Sequence, residues 1–547
     1  MKKIIALMLA MLICFSLVAC NGNTPATSTP PASTAAPTPG STGEGTSSEE
    51  QPVVADSLTY AARTPSWDIS PWKNNGNTGN TMWHHIYSGL LANPLYGTPV
   101  ENMHLDMAES VTFSDDKLTA TIKLRDYIHD SKGNPIKAED VVFSYETAPK
   151  VSGVYAKIET FIDSIKIIDE YTVEIKIKEA VSGTWESLLS YCPVVSKSWY
   201  ESASDDERAN NPASTGAYYV KENITGTSAT FEAIDDFWQK DELRSIYQIV
   251  NVKTINYITI AEQAMRVIAV ETGELDAAYI ESTSTEGFKN NPEFNLFETW
   301  GLNPTTFALN CSENRPFHDN PALRKAVLHA IDWEQLKIAS SNGFGYQGHD
   351  VAPGICADYD DAWNDEPYYD YDLEVAKEYM AEAGYDLNSG LTIHFMCRTA
   401  GPQLSSAAVI QSCLLDIGIN LVIDDYDQAL FDTYTPDPAQ WDIIWLTINN
   451  VSGFVIESWA YYYGTRGELG SIGFVRDEKL QELLEAVMKN DNGASRNAFR
   501  DYAIEQAYAL NQVNEPIYVC ARKDIVEMPF DFLANPILNA AIFSSDY

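Results

Sequence analysis

Residues 108–146, AESVTFSDDKLTATIKLRDYIHDSKGNPIKAEDVVFSYE, form the stretch of this chain that decides its fold. Over 118–125 apolar and polar residues alternate, which is the two-residue period of a strand with one buried face. A polar turn follows at 130–135. Apolar residues then recur at helical spacing over 138–145, which predicts an amphipathic helix that ends before Pro149. The stretch therefore predicts a strand, a turn and a helix whose first turn is acidic.

The same stretch resembles the signature of the family 5 extracellular solute-binding proteins of ABC transporters, which include oligopeptide-, dipeptide- and nickel-binding proteins. The matching residues are Ala108-Glu109-Ser110, Leu124-Arg125-Asp126, His129-Asp130, Gly133 and Ala138-Glu139-Asp140-Val141-Val142-Phe143-Ser144. Two residues depart from the family pattern. Tyr127 stands where the family usually has glycine, and Lys137 stands where a Thr or Ser usually caps the helix. Loss of that cap should cost about 1 kcal/mol of local stability. The resemblance implies an α/β, two-lobed periplasmic-binding-protein-like fold of class II type, with an extra subdomain in the first lobe.

Four further segments match the family in the family's own order. They are Ser214-Thr215-Gly216-Ala217-Tyr218, Glu271-Thr272-Gly273, His329-Ala330-Ile331-Asp332 and Glu382-Ala383-Gly384-Tyr385. A strand at 391–397, a helix at 404–417 and a strand at 419–423 predict a parallel unit with a right-handed crossover. The resemblance implies a first lobe from 57–89, 212–304 and 513–547, an extra subdomain at 90–211 and a second lobe at 305–512.

The N-terminus has the pattern of a secretion signal followed by a flexible tether. Residues 1–19 combine two early lysines with an apolar run and form the predicted signal peptide. Leu17-Val18-Ala19-Cys20 resembles a bacterial lipobox, which implies a lipid on Cys20; the alternative is an ordinary signal with a chance cysteine. Residues 20–56 are rich in Thr, Ser, Pro, Ala and Gly, so they predict a disordered tether. We expect a lipid-anchored protein on the extracytoplasmic face of the cell membrane, in the periplasmic space if the cell is Gram-negative.

Composition excludes several classes of partner. The chain has 547 residues, enough for two or three domains, and a formal net charge of −41. A chain this acidic is repelled by nucleic acid and by anionic lipid headgroups, and its charge favours a monomer.

Six cysteines lie beyond Cys20, and they permit either up to three disulfides or six buried thiols.

Motifs of common enzymes are absent from the sequence, so no catalytic residue and no cofactor is predicted. An acidic cluster at 358–366 lacks the spacing of an EF-hand loop, and a solvated loop is favoured over a calcium site. Adjacent His84 and His85 point in different directions on one element, so no metal site is predicted there.

The resemblance places a solute cleft between the lobes. Its predicted lining residues are Trp445, Asn449, Trp459, Arg398, Trp67, Trp72 and Tyr461. Trp445 ends a predicted strand, as in the family, and Arg398 lies at the carboxyl end of another, where open α/β sheets bind ligands. For Trp67 and Trp72, the alternative is that both cover an edge of the core.

Peptide-binding members commonly follow the strand-end tryptophan with an aspartate that pairs with the peptide's α-ammonium group. Residues 446–450 here are Leu-Thr-Ile-Asn-Asn, so a neutral polar, sugar-like or amino-blocked solute is predicted. Asp442 or Glu457 could turn inward and restore the charge. The main hypothesis is a receptor that captures a peptide or peptide-like solute and delivers it to an ABC permease and its ATPase. The alternatives are a secreted hydrolase, a surface adhesin, or an oligosaccharide or nickel solute.

Overall fold

The structure is a computed structural model, and the residues that it describes fall in a series of segments. These are 53–62, 68–73, 77–93, 98–179, 183–301, 305–366, 368–399, 403–447, 450, 453–464, 472–508, 513–531 and 533–544. All of them belong to one compact unit, Ser47–Tyr547.

This part of the chain contains both strands and helices, and they alternate strictly between residues 373 and 463. The strands are β1 (Ala55–Ala62), β2 (Ala108–Phe113), β3 (Thr119–Leu124), β4 (Ile162–Asp169), β5 (Thr172–Ile177), β6 (Tyr218–Ile224), β7 (Ser228–Ala233), β8 (Val252–Thr259), β9 (Ala277–Ile280), β10 (Phe294–Trp300), β11 (Thr305–Leu309), β12 (Tyr346–Gln347), β13 (Leu391–Arg398), β14 (Ile419–Tyr426), β15 (Ile443–Thr447), β16 (Val513–Asn514), β17 (Pro516–Arg522), β18 (Ile525–Glu527) and β19 (Ile542–Phe543). The helices are α1 (Asn77–Ile86), α2 (Ala138–Val151), α3 (Ala156–Phe161), α4 (Thr184–Ser190), α5 (Lys197–Ser202), α6 (Asp205–Asn210), α7 (Gln263–Glu271), α8 (Pro321–Ala330), α9 (Trp333–Ser341), α10 (Leu373–Glu382), α11 (Gln403–Leu415), α12 (Gln428–Tyr434), α13 (Val455–Tyr463), α14 (Glu478–Lys489) and α15 (Gly493–Gln506).

The first lobe is built on a seven-stranded mixed sheet of order β10-β17-β9-β1-β8-β7-β6. Its central strand β1 pairs in parallel with β8 and β9, whereas β17 runs antiparallel to both of its neighbours. Strand β17 comes from near the end of the chain, so the chain returns to this sheet after it has built the second lobe.

The second lobe is built on a four-stranded sheet of order β11-β15-β13-β14. Strands β13 and β14 are parallel, with Leu391 opposite Ile419, and α11 connects them, as the sequence predicts. Asn320 caps α8 by accepting the backbone N–H of Leu323 at 3.1 Å, and Asp372 caps α10. The sheet and its helices enclose one apolar core.

The stretch that decides the fold lies in a separate antiparallel sheet of order β2-β3-β5-β4. The buried residues of β3 and β5, such as Ile122 and Val173, belong to the same apolar core as Leu58 of β1. The extra subdomain is therefore continuous with the first lobe. The exact boundaries of the lobes stay a prediction.

Helix α2 corrects one expectation, because it continues through Pro149 to Val151 instead of ending before the proline. Proline removes one helical N–H, but Tyr145 and Ala148 are both buried in the core, and their packing offsets that loss. The start of α2 does not need the usual cap. The carboxylate of Asp140 accepts the backbone N–H of Lys137 at 2.7 Å, and so it satisfies one of the N–H groups that have no helical partner at the N-terminus of α2.

The sequence leaves open whether the cysteines form up to three disulfides or remain buried thiols, and the structure shows the second. All six beyond Cys20 are described, and all are buried free thiols. Burial raises the pKa of the Cys311 thiol and of the Cys397 thiol to about 11, so these groups are protonated and unreactive at neutral pH.

Candidate functional site

Strands β13 and β15 of the second lobe bring two predicted cleft segments to one edge of the sheet. The strands are adjacent and parallel, with Phe395 opposite Ile443 and Met396 opposite Ile444. Because parallel strands end at the same edge, the chain after Arg398 and the chain after Trp445 leave the sheet side by side. Open α/β sheets bind ligands at such carboxyl ends.

Arg398 is half-buried at this edge. Its guanidinium lies 5.1 Å from the centre of the Phe431 ring, a cation–π contact, and its backbone N–H donates to Gln403 at 2.7 Å. Its Nε is buried and has no hydrogen-bond partner among the described residues. An arginine with an unused donor beside a ligand-binding edge remains a candidate for solute contact.

Trp445 is 5% exposed and packs edge-on against Phe307 of the neighbouring strand β11, with ring centres 4.9 Å apart. Its indole Nε1 is buried and makes no hydrogen bond within the described part of the chain. Most of the ring therefore belongs to the core of the second lobe. Only a narrow edge is left for a solute in this structure.

The structure separates Trp459 and Tyr461, which both lie on α13. Trp459 is completely buried, donates its Nε1–H to Asp350 at 2.7 Å and packs against Phe499, with ring centres 4.6 Å apart. Tyr461 is 47% exposed. The sequence predicts both as lining residues, and the structure places the first inside the lobe and the second on its surface.

Trp72 is also completely buried, and its indole N–H donates to the carbonyl of Pro193 at 3.0 Å. It packs against Phe143 and Tyr200. Its φ of 62° lies in the left-handed region, which costs a non-glycine residue about 1–2 kcal/mol. The packing holds this strained backbone in place, as expected for a residue that covers the core. Trp67, Asn449 and Cys20 lie outside the described residues.

Both acids that could restore a charge near residues 446–450 already have partners. Asp442 is buried, lies 3.2 Å from Arg315 Nη1 and accepts the backbone N–H of His394 at 2.8 Å. Glu457 forms an ion pair with Lys157. Asn450 is fully buried, and its side chain holds the turn before α13 by bonds to Phe454 O and Gly453 N.

The pair of Lys157 and Glu457 joins the two lobes, and sequence reasoning missed it. Lys157 lies on α3 of the extra subdomain and Glu457 on α13 of the second lobe, 300 residues apart in sequence. Nearby, Tyr191 packs against the apolar cores of both lobes. No local pattern signals either contact, because each depends on how distant segments meet.

The adjacent histidines are built into the first lobe. His85 Nε2 lies 2.9 Å from the Tyr257 hydroxyl, and the His84 ring stacks on Tyr247 with centres 4.4 Å apart. Burial lowers the pKa of His84 to about 4 and that of His85 to about 3, so both rings are neutral at pH 7.

The described segments offer neither a cluster of metal ligands nor a membrane-spanning helix. Within those segments, no group of three or more His, Cys, Asp or Glu side chains could hold a metal ion. Nor does that part of the chain contain a helix long and apolar enough to cross a membrane.

Comparison with known proteins gives a consistent result. Residues 102–469 match the family model described as "Bacterial extracellular solute-binding proteins, family 5 Middle". A "Probable peptide-binding protein YejA" from Agrobacterium fabrum is 24% identical over 469 residues, which is 74% of each chain.

Solved structures share the fold at low sequence identity. HbpA2 from Haemophilus parasuis superposes with a TM-score of 0.74 at 20% identity, covering 89% of this chain and 100% of that one. The oligopeptide-binding protein AppA from Bacillus subtilis, solved with a nonapeptide, gives 0.72 at 16% identity, covering 90% and 100%. The chain has the two-lobed fold of this group, and it belongs to the bacterial extracellular solute-binding proteins of family 5, the solute-binding components of ABC transporters.

Proposed function

We propose that this protein captures a peptide or peptide-like neutral polar solute between its two lobes and delivers it unchanged to an ABC permease and its ATPase. We further propose that a lipid on Cys20 holds it at the extracytoplasmic face of the membrane and that it acts as a monomer. Arg398, Trp445, Asn449, Tyr461 and Trp67 are the proposed solute contacts from the sequence, and Trp72 and Trp459 support the walls behind them.

The observation that most directly supports capture between lobes is the ion pair of Lys157 and Glu457. The lobes meet at this pair, and Tyr191 contacts both cores beside it. A solute that contacts both lobes stabilises the closed arrangement, because the open one lacks those contacts.

The charges at the second lobe support a solute without a free ammonium group at this site. Asp442 is neutralised by Arg315 and Glu457 by Lys157, so neither carboxylate is left to pair with a buried cation. The similarity to a probable peptide-binding protein supports a peptide as the solute. The paired charges support a peptide whose N-terminus is blocked or lies away from Asp442 and Glu457.

Calorimetry on the full chain tests this proposal with matched free and N-acetylated tripeptides and with oligosaccharides of similar size. We expect N-acetylation to leave the Kd within about threefold, because no ammonium partner is lost. Tight binding of free peptides that is abolished by acetylation would contradict the proposed solute class. Hydrolysis of a bound peptide would instead favour a secreted hydrolase.

The anchor has its own test in the variant Cys20→Ala. Without the lipid, the tether has no apolar segment of its own, so we expect the variant in the medium or the soluble fraction. The variant should bind solute as the natural chain does. Retention on membranes after a high-salt wash would contradict the proposed anchor.

A further inference from the structure

A small cavity in the first lobe is lined by residues that carry polar atoms without a hydrogen-bond partner among the described residues. It encloses about 30 Å³ and is lined by Trp83, His84, Asn93, Asp106, Tyr191 and Tyr247, among others. Trp83 and His84 come from α1, Asn93 comes from the segment that follows it, and Asp106, Tyr191 and Tyr247 come from more distant parts of the chain. None of these residues was predicted to contact a solute.

Three of the lining residues carry unsatisfied atoms: Trp83, His84 and Asn93. His84 Nε2 is buried and has no hydrogen-bond partner among the described residues. Trp83 is 7% exposed, and its Nε1–H has no acceptor among the described residues. Asn93 Oδ1 is likewise buried without a donor there, although its Nδ2 lies 3.4 Å from His84 Nδ1. Buried polar groups normally have partners, so the cavity favours an occupant that can both accept and donate hydrogen bonds.

One wall of the cavity lies where the lobes meet. Tyr191 lines the cavity and packs against the apolar cores of both lobes. Tyr155 also lines it, and it lies two residues before Lys157, which pairs with Glu457 of the second lobe. A solute held between the lobes therefore passes close to this wall.

The chemistry of the wall restricts the group that fits. A cation such as an ammonium has no lone pair to accept the Trp83 N–H. A carboxylate would accept it, but the buried carboxyl of Asp106 also lines the cavity and disfavours a second negative charge. His84 is neutral and offers no compensating charge. A hydroxyl or a primary carboxamide can accept from Trp83 and donate to Asn93 without carrying charge.

The size of the cavity agrees with one such group. A buried water needs roughly 10–15 Å³ of this kind of space, so about 30 Å³ holds two waters or one small polar group with its attached carbon. A large ring does not fit without movement of the walls.

We propose that the cavity beside Trp83 and Asn93 is a subsite for one uncharged hydrogen-bonding group of the solute, a hydroxyl or a primary carboxamide. This inference rests on the proposed function for the identity of the solute, but the cavity can be tested without it. Trp83 donates to the group, Asn93 accepts from it, and Tyr191 closes the space when the lobes meet.

The direct test follows the indole N–H signals of the full chain, labelled with nitrogen-15 on tryptophan, by NMR. The signal missing from Trp83→Phe identifies Trp83, and Trp185→Phe identifies an internal reference, because Trp185 Nε1 already donates to Lys117 O at 2.8 Å. Acetamide should shift the Trp83 signal saturably and leave the Trp185 signal in place. Equal concentrations of methylammonium chloride or sodium acetate should shift neither.

Two results would overturn the subsite. A Trp83 signal that acetamide does not move would mean that the cavity holds water only. A signal that methylammonium moves as far as acetamide does would mean that the uncharged group is the wrong class.

A peptide series separates failure of the subsite from failure of the proposed function. Tripeptides of alanine with Asn or Ser at each position in turn should include one that binds about 10-fold more tightly than trialanine. Trp83→Phe should remove that gain, so that the variant binds the favoured peptide no more tightly than trialanine. Binding of all peptides with no such gain would overturn the subsite alone. Binding of none would overturn the peptide proposal, and the acetamide result would still decide the cavity.

Discussion

Two buried tryptophans, Trp459 and Trp83, differ in whether the protein supplies an acceptor for the indole N–H. Trp459 in the second lobe donates its indole N–H to Asp350 at 2.7 Å, whereas Trp83 in the first lobe has no acceptor within the described segments. A buried N–H without a partner costs about 1–3 kcal/mol. The protein alone thus satisfies the indole N–H of Trp459, whereas our proposal is that a group entering the cavity satisfies that of Trp83.

The largest expected effect comes from Trp459→Ala. Because Trp459 fills a closed interior against Phe499 and Trp363, its loss leaves a cavity and removes one of the N–H donors to Asp350. We expect the free energy of unfolding to fall by about 3–5 kcal/mol, measured by urea denaturation. The control is Tyr461→Ala on the same helix, which is 47% exposed and should change stability by about 0.5 kcal/mol or less. Equal losses in the two variants would show that the second lobe is not closed around Trp459.

The next effect is a pH dependence of the free energy of unfolding, and it arises from Asp350, the hydrogen-bond partner of Trp459. Burial raises the pKa of Asp350 from 3.8 to about 6, so the native state binds the proton more tightly than the unfolded chain does. Its stabilising contribution is complete below about pH 4 and is lost as the pH rises through 6.

Asp350→Asn removes this titration and keeps an oxygen that can accept the N–H groups of Trp459 and Ala352, which both bond to Oδ1. Between pH 4 and pH 7.5, the natural chain should lose about 2.5 kcal/mol relative to the variant, measured by urea denaturation at each pH. His84, whose low pKa gives the opposite slope, is present in both proteins and cancels. A difference that does not vary with pH would contradict the titration of Asp350.

The smallest effect concerns the contact between the lobes. Lys157 is 42% exposed and Glu457 13%, so solvent screens part of their attraction and the pair is worth about 1 kcal/mol or less. Lys157→Ala should weaken solute binding by up to about fivefold in calorimetry, because only the closed arrangement contains the pair. The control is Lys176→Ala, which breaks an exposed pair with Asp163 within the antiparallel sheet. The same loss in both variants would mean that the pair does not favour closure.

Local features of the fold could be predicted from the sequence because neighbouring residues determine them. The alternation in β3, the unit of β13, α11 and β14, and the caps Asn320 and Asp372 each depend on a few adjacent side chains. Helix α2 departs from its prediction because packing of its buried face, which a local rule does not include, outweighs the proline.

The site could be predicted less well, since its residues are brought together by the tertiary structure. Aromatic type alone did not distinguish Trp459, buried against Asp350, from Tyr461, exposed two residues later. The partner of Glu457 lies 300 residues away, and no spacing indicates it. Trp83 has the sequence signature of an ordinary core residue, and its missing acceptor becomes visible only in the structure.

Small-angle X-ray scattering of the full chain, with and without a saturating peptide found by calorimetry, tests most directly the claim that the two lobes capture a solute between them. We predict a smaller radius of gyration with peptide, because closure brings the second lobe against the extra subdomain at Lys157 and Glu457. An unchanged radius at full saturation would contradict capture by closure.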